Sequence, residues 1–250
     1  EVPYQQDARL RLADSYFALK RYDDARAAYD RVDGEGAEYA LYQGGRALYY
    51  AGQPADALDR LRQFVDDFPD SPLRPDALYR VGDIHFQEQR YGAAREAFRQ
   101  LLEDYPESAR AAEAQYAIGD AHYNAGEMED AVQAYRTVLE TYPESPSASE
   151  AASSLFFALN AAGQQDRADD LITAIADRVP EANMGDRLRY HRARAAYQRG
   201  DSRRALRLFR TFVRTASTQA LIPDAYYYLG LLYADTDQYD EAKNYLRQLT

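Results

Sequence analysis

Three histidines, His85, His122 and His191, are the side chains best suited to acid–base or metal chemistry, and no cysteine is present to add a thiolate. His85 and His122 stand 37 positions apart in matching surroundings, VGDIHFQEQRYGAAREAF and IGDAHYNAGEMEDAVQAY. A zinc site needs three or four converging ligands. Two equivalent histidines with no third ligand beside them read instead as half-buried ring positions, so neither a metal nor a cofactor is expected. A converging nucleophile, base and orienting group are not in evidence either, and no glycine-rich phosphate loop follows a strand. The chain reads as non-catalytic.

The spacing of other residues points to binding. Positions four and three apart on a helix share one face. Tyr42, Arg46 and Tyr49 form such a triplet, which recurs as Tyr79, Asp83 and Phe86, as Tyr116, Asp120 and Tyr123, and as Tyr190, Arg194 and Tyr197. Ring, charge and ring in succession form a ladder of fairly rigid contact area for an extended peptide or a partner helix. The same rings also suit packing between neighbouring repeats, and the sequence leaves both uses open. Arg187 joins Arg194 as a candidate receptor for a partner's carboxylates, because the planar guanidinium fork meets a carboxylate through two bonds.

The elements that must hold this ladder follow from the period. One alanine recurs as Ala25, Ala57, Ala94, Ala131, Ala168, Ala205 and Ala242, at a spacing of 32 and then five of 37. Twelve residues before each lies Ala13, Gly45, Gly82, Gly119, Phe156, Ala193 and Gly230, small in six of seven copies, which allows two helices to approach closely. Turn signals such as YAGQPAD and NAGEMED separate the two helices of each unit. Proline closes most units, in FPDS at 68–71, YPES at 105–108 and 142–145, and VPEA at 179–182, because it lacks the amide donor and disfavours helix for the residue before it. Each helix pair is too small to bury its apolar faces alone, and stacking on its neighbours completes the core.

This register resembles the tetratricopeptide repeat, with a small residue early, alanine on the second helix and proline at the end. The resemblance covers essentially the whole chain and implies an all-α fold, a right-handed α-α superhelical solenoid of about seven helical hairpins. The repeats are expected near 6–37, 38–74, 75–111, 112–148, 149–185, 186–222 and 223–250, in a single solenoid over 1–250. It also implies that the ladder faces a concave groove. The family's usual early Trp is replaced by Leu41, Leu78, Gln115 and Tyr226 among others. More narrowly, residues 105–145 are similar to the repeats of bacterial cell-envelope proteins, among them the assembly lipoprotein of the Bam complex and the periplasmic partner of the Tol-Pal system. A periplasmic or envelope-associated interaction scaffold is therefore expected, associated with envelope complexes through partners or flanking segments. A cytoplasmic location is the alternative. The rival reading is a structural spacer or self-assembly module.

Charge distribution adds detail. Net charge is −11, which argues against nucleic-acid or anionic-membrane binding by the chain as a whole. Of 30 basic residues 28 are Arg, as a GC-rich genome or adaptation to high salt would produce. Within residues 184–214 ten arginines face only Asp186 and Asp201, a balance of +8, which leaves −19 for the rest. In that island Arg203, Arg207, Arg210 and Arg214 form one stripe, and Asp166, Asp170 and Asp177 of the preceding repeat form an acidic stripe with which it can pair laterally. Repeat five departs from the pattern, with Phe156 in the small slot and Ser153 and Asn160 in place of the two ring residues. Either the chain bends there or Phe156 and Phe157 fill space left by smaller neighbours. No apolar run is long enough to cross a membrane. The opening EVPYQQ and the end at Thr250, without a polar capping helix, are expected of a piece of a longer protein.

Overall fold

The computed structural model describes residues 4–175, 182–217 and 219–250. Among these the chain forms fourteen α-helices and a closing 3-10 turn, with no strand. A first compact unit, Glu1–Gly126, holds α1 (Gln5–Ala18), α2 (Tyr22–Tyr29), α3 (Ala37–Tyr50), α4 (Pro54–Asp67), α5 (Arg74–Gln87), α6 (Tyr91–Asp104) and α7 (Ala111–Asn124). A second, Glu127–Thr250, holds α8 (Met128–Thr141), α9 (Pro146–Ala161), α10 (Gln165–Ile175), α11 (Ala182–Gln198), α12 (Ser202–Thr215), α13 (Ile222–Ala234) and α14 (Tyr239–Leu246). Within each unit, helices consecutive in the sequence pack side by side.

The 37-residue period has a simple local cause. From α3 to α7 each helix has 14 residues, and they are joined alternately by three-residue turns such as 51–53 and six-residue linkers such as 68–73. The turn needs one left-handed residue, and glycine supplies it at Gly52, Gly126, Gly163 and Gly200. Lys20, Gln89 and Asp237 take the same conformation with a side chain, at φ of 59°, 59° and 58°. The following amide reaches back five residues, as Gln53 N does to Leu48 O (3.0 Å) and Arg90 N to His85 O (2.8 Å), which satisfies a carbonyl that the helix end leaves open.

Inside the hairpins the seven periodic alanines are all buried, from 0% exposed at Ala25, Ala57, Ala94, Ala131 and Ala205 to 4% at Ala242. The small slot on the first helix receives a large side chain from the second. A Cβ added at Gly82 would stand 2.5 Å from the Phe98 ring, and one at Gly45 would stand 2.8 Å from Leu61. At repeat five Phe156 is 2% exposed and fills the core from the first helix, whereas Phe157 is 43% exposed.

The expected proline boundaries follow the ends of α4, α6 and α8, at Pro69, Pro106 and Pro143. Residues 179–181 of the fourth boundary lie outside the described residues. The boundary serine closes a turn: Ser71 N, Ser108 N and Ser145 N donate to the carbonyls of Phe68, Tyr105 and Tyr142. Ser71 Oγ then accepts from Leu73 N (3.1 Å) at the start of the next helix. In the second unit, Asp186 is 1% exposed and accepts from Ser217 N (2.7 Å) and Ser217 Oγ (2.8 Å), tying α11 to the segment after α12.

Candidate functional site

The ladder expected on the first helices of the hairpins contains two core rings. Tyr42 is 8% exposed and packs against Phe64 of α4, with ring centres 5.5 Å apart. Tyr190 is 4% exposed among Phe209, Phe212 and Tyr228, and burial pushes its hydroxyl pKa up to about 12. As buried rings these two pack within the hairpins, the use that the sequence left open beside binding.

The charges between the rings are engaged as well. Arg46 lies over Phe17 at 5.1 Å and over Tyr42 at 5.8 Å, and its Nη1 donates to Gln43 Oε1 at 2.8 Å. Asp83 accepts from Arg80 Nη1 (2.6 Å), from Tyr49 Oη (3.2 Å) and from Gln87 Nε2 (3.1 Å). Phe86 packs edge-on against Tyr91 at the turn into α6. Tyr79 is half-buried against Phe98 and carries the Arg110 guanidinium over its ring at 5.1 Å. Burial and the neighbouring Glu113 carboxylate raise its hydroxyl pKa. Arg110 in turn meets Asp76 and Glu113, each at 2.6 Å. Tyr116, Asp120 and Tyr123 are half-buried on α7.

Arg80, Gln87, Arg110 and Glu113 were not singled out from the sequence. The signal for Arg80 was present, since it precedes Asp83 by three residues on one helix. The Tyr49–Asp83 bond joins residues 34 apart in consecutive hairpins and has no signal within one repeat.

The second unit presents a different face. Arg187 and Arg194 are exposed on α11, and among the described residues neither makes an ion pair. His191 stands between them with its ring 4.9 Å from the exposed Phe157 ring. Burial first, and then Arg187 and Arg194, push its pKa down to about 4, so it is neutral near pH 7. Tyr197 packs edge-on against Tyr228 (5.0 Å), and Arg199 Nη1 donates to Asn160 Oδ1 (2.7 Å).

The other histidines are parts of the scaffold contacts. His85 is 2% exposed, its Nε2 lies 2.8 Å from Arg62 Nη2, and burial, Arg90 and Arg62 push its pKa down to about 4. His122 Nδ1 lies 3.2 Å from Arg95 Nη1. The lateral pairing expected of the Arg203–Arg214 stripe does not appear: among the described residues, Arg203, Arg207, Arg210 and Arg214 make no ion pair, and Asp177 lies outside those residues.

Comparison with known proteins places these hairpins in context. One tetratricopeptide repeat family model matches residues 42–109, 89–146 and 190–249, and a second matches 1–49. The stretch 147–189 left between these matches contains repeat five, where Phe156 replaces the small residue. No curated protein sequence matches the chain. Among solved structures, the C-terminal part of a TPR repeat-containing protein from Cytophaga hutchinsonii is similar with a TM-score of 0.71 at 15% identity, over 96% of this chain and 93% of that one. A tetratricopeptide repeat protein from Parabacteroides merdae gives 0.61 at 15% identity, over 98% and 91%. A MamA protein gives 0.57 at 23% identity, over 68% and 89%. With the period, the buried alanines and the helix pairing, these matches show that the chain belongs to the tetratricopeptide repeat family.

Proposed function

We propose that this chain is a non-catalytic scaffold that holds a protein or an extended peptide across the first-helix faces of its hairpins. The observation that carries this reading is on α11, where Arg187 and Arg194 stand exposed on either side of neutral His191 with no ion pair among the described residues. On the first unit Asp83 and Arg110 are by contrast closed on neighbouring side chains. Two open guanidinium forks beside the Phe157 ring suit a segment that carries carboxylates next to an apolar residue. Within the first unit, half-buried Tyr79, Tyr116 and Tyr123 supply an aromatic surface of its own for a partner. Membership of a family whose hairpins stack into extended binding surfaces supports the same reading. The likeness of residues 105–145 to envelope repeats supports a place in a bacterial cell envelope, on its periplasmic side.

The test is affinity capture from envelope extract, identification of the partner by mass spectrometry, and calorimetry with the purified partner. The paired reversal Arg187→Glu and Arg194→Glu should weaken binding by about tenfold or more with an unchanged melting temperature. Retention of full affinity by a folded double variant removes the α11 face from the interaction. Capture of nothing above background favours the spacer reading.

A further inference from the structure

The second-helix side of the last two hairpins holds a groove that the scaffold reading does not use. It is an open groove along α12, closed at one side by Tyr245 of α14, with a volume of about 420 Å3. One wall is α12, which carries five arginines and no acidic residue, with Asp201 capping its N-terminus by accepting from Arg204 N. Arg203, Arg207, Arg210 and Arg214 all line the groove, all are exposed, and none is ion-paired among the described residues. Their spacing of four, three and four residues sets them in one line about 16 Å long at 1.5 Å per residue. The floor is apolar and half-buried, made by Leu206 and Val213 of α12 and the Tyr245 ring of α14.

We infer that this groove is a docking site for an acidic amphipathic helix of a protein partner, separate from the first-helix face of α11. Each successive arginine is about one helical turn further on, so carboxylates at positions i, i+4, i+7 and i+11 of a docked helix meet the line in register. Arginine forks take carboxylates through two bonds, and apolar residues beside those carboxylates cover Leu206, Val213 and Tyr245. A nucleic acid matches this surface less well, because its phosphates bring no apolar side chain to the floor. Beyond the island, moreover, the chain carries −19, which repels a long polyanion. A membrane surface also matches less well, since none of the exposed large hydrophobic residues belongs to α12.

The experiment is fluorescence anisotropy with a labelled helical peptide of about four turns that carries glutamate at i, i+4, i+7 and i+11 and leucine between them. Comparison probes are a sequence-scrambled peptide of the same composition, a single-stranded oligonucleotide of similar charge, and phosphatidylglycerol vesicles. The patterned peptide should bind, the scrambled one about tenfold more weakly, and Arg207→Glu with Arg210→Glu should lose about tenfold or more. Val213→Thr, which keeps charge and shape, should also weaken binding, and Arg187→Glu with Arg194→Glu should leave it unchanged. Melting temperatures establish that each variant is folded. The inference is overturned by absence of peptide binding, by equal binding of the scrambled peptide, or by affinity that survives reversal at Arg207 and Arg210. Tighter binding of the oligonucleotide or the vesicles overturns it too, as does self-association abolished by the same reversal, which would make the groove a contact between copies.

Discussion

The Arg80 guanidinium covers the Tyr49 ring at 4.8 Å, from the hairpin after the one that holds Tyr49. Its Nη1 simultaneously binds Asp83, which accepts the Tyr49 hydroxyl. The three side chains form one latch across two repeats, so the Asp83 carboxylate is engaged within the scaffold.

Breaking that latch should therefore cost stability. Asp83→Asn and Arg80→Gln are each expected to lose about 1–3 kcal/mol in urea unfolding, the range for a hydrogen bond to a charged group. The double variant should lose less than the sum, because both remove the same bond. Additive losses would mean that the pair contributes no coupling.

Packing at the small slot predicts a larger steric penalty. Gly82→Ala pushes a methyl group into the Phe98 ring and should destabilise by about 1–3 kcal/mol. Phe98→Leu should recover part of that loss in the Gly82→Ala background. Ala94→Leu, at a fully buried site, is expected to fall in the same range. Thermal unfolding measures all three, and an unchanged melting temperature in Ala94→Leu would place that alanine away from the helix contact.

The turn residues predict effects of opposite sign. Gln89 holds a left-handed conformation that costs an ordinary residue about 1–2 kcal/mol, so Gln89→Gly should raise the melting temperature. Gly52→Ala should lower it, at a cost of about 1 kcal/mol. If both variants shift in one direction, backbone conformation does not control the turn.

Two histidines make stability sensitive to acid. In the folded chain His85 and His191 have pKa values pushed down to about 4, while unfolded they take up protons near the ordinary 6.5. Between these values the unfolded state binds more protons, so the contribution is complete above about pH 6.5 and is lost as pH falls toward 4. His85→Gln and His191→Gln should each reduce the difference in unfolding free energy between about pH 7 and about pH 4.5. An identical difference in wild type and both variants would show that neither histidine is held neutral by the fold.

Much of the architecture was legible because each repeat restates it. The alanine register located every hairpin, and those alanines are buried in all seven copies. Spacing was a poorer guide to which rings face outward. Tyr42 and Tyr190 are buried while Tyr79 and Tyr116 in the same slot are half-buried, although Tyr79 packs on Phe98 as closely as Tyr42 packs on Phe64, so neither the slot nor a ring on the second helix decides which face outward. The engagement of Asp83 was legible only in part, since Arg80 lies on the same helix but Tyr49 comes from the preceding repeat. At Phe156 the sequence left two readings, and burial shows that ring filling the core while its neighbour Phe157 is exposed. Sixteen residues after the small slot several other repeats carry a ring, Tyr29, Phe98, Tyr135 and Phe209, whereas repeat five has the aliphatic Ile172 at that position. In repeat five the ring stands on the first helix instead, an exchange visible only when both slots are compared.

The pairing of each helix with its neighbours in sequence sets how such a chain responds to force. Among the described residues of each unit, packing is mainly between helices adjacent in the sequence, so contact order is low and refolding of a released hairpin is rapid. Pulled from its ends in an optical trap, each unit should yield in small steps instead of one rupture. Each step should release one 37-residue hairpin, a gain in contour length on the order of 100 Å. On relaxation those steps should reverse with little hysteresis, which would make the chain a reversible extensible tether.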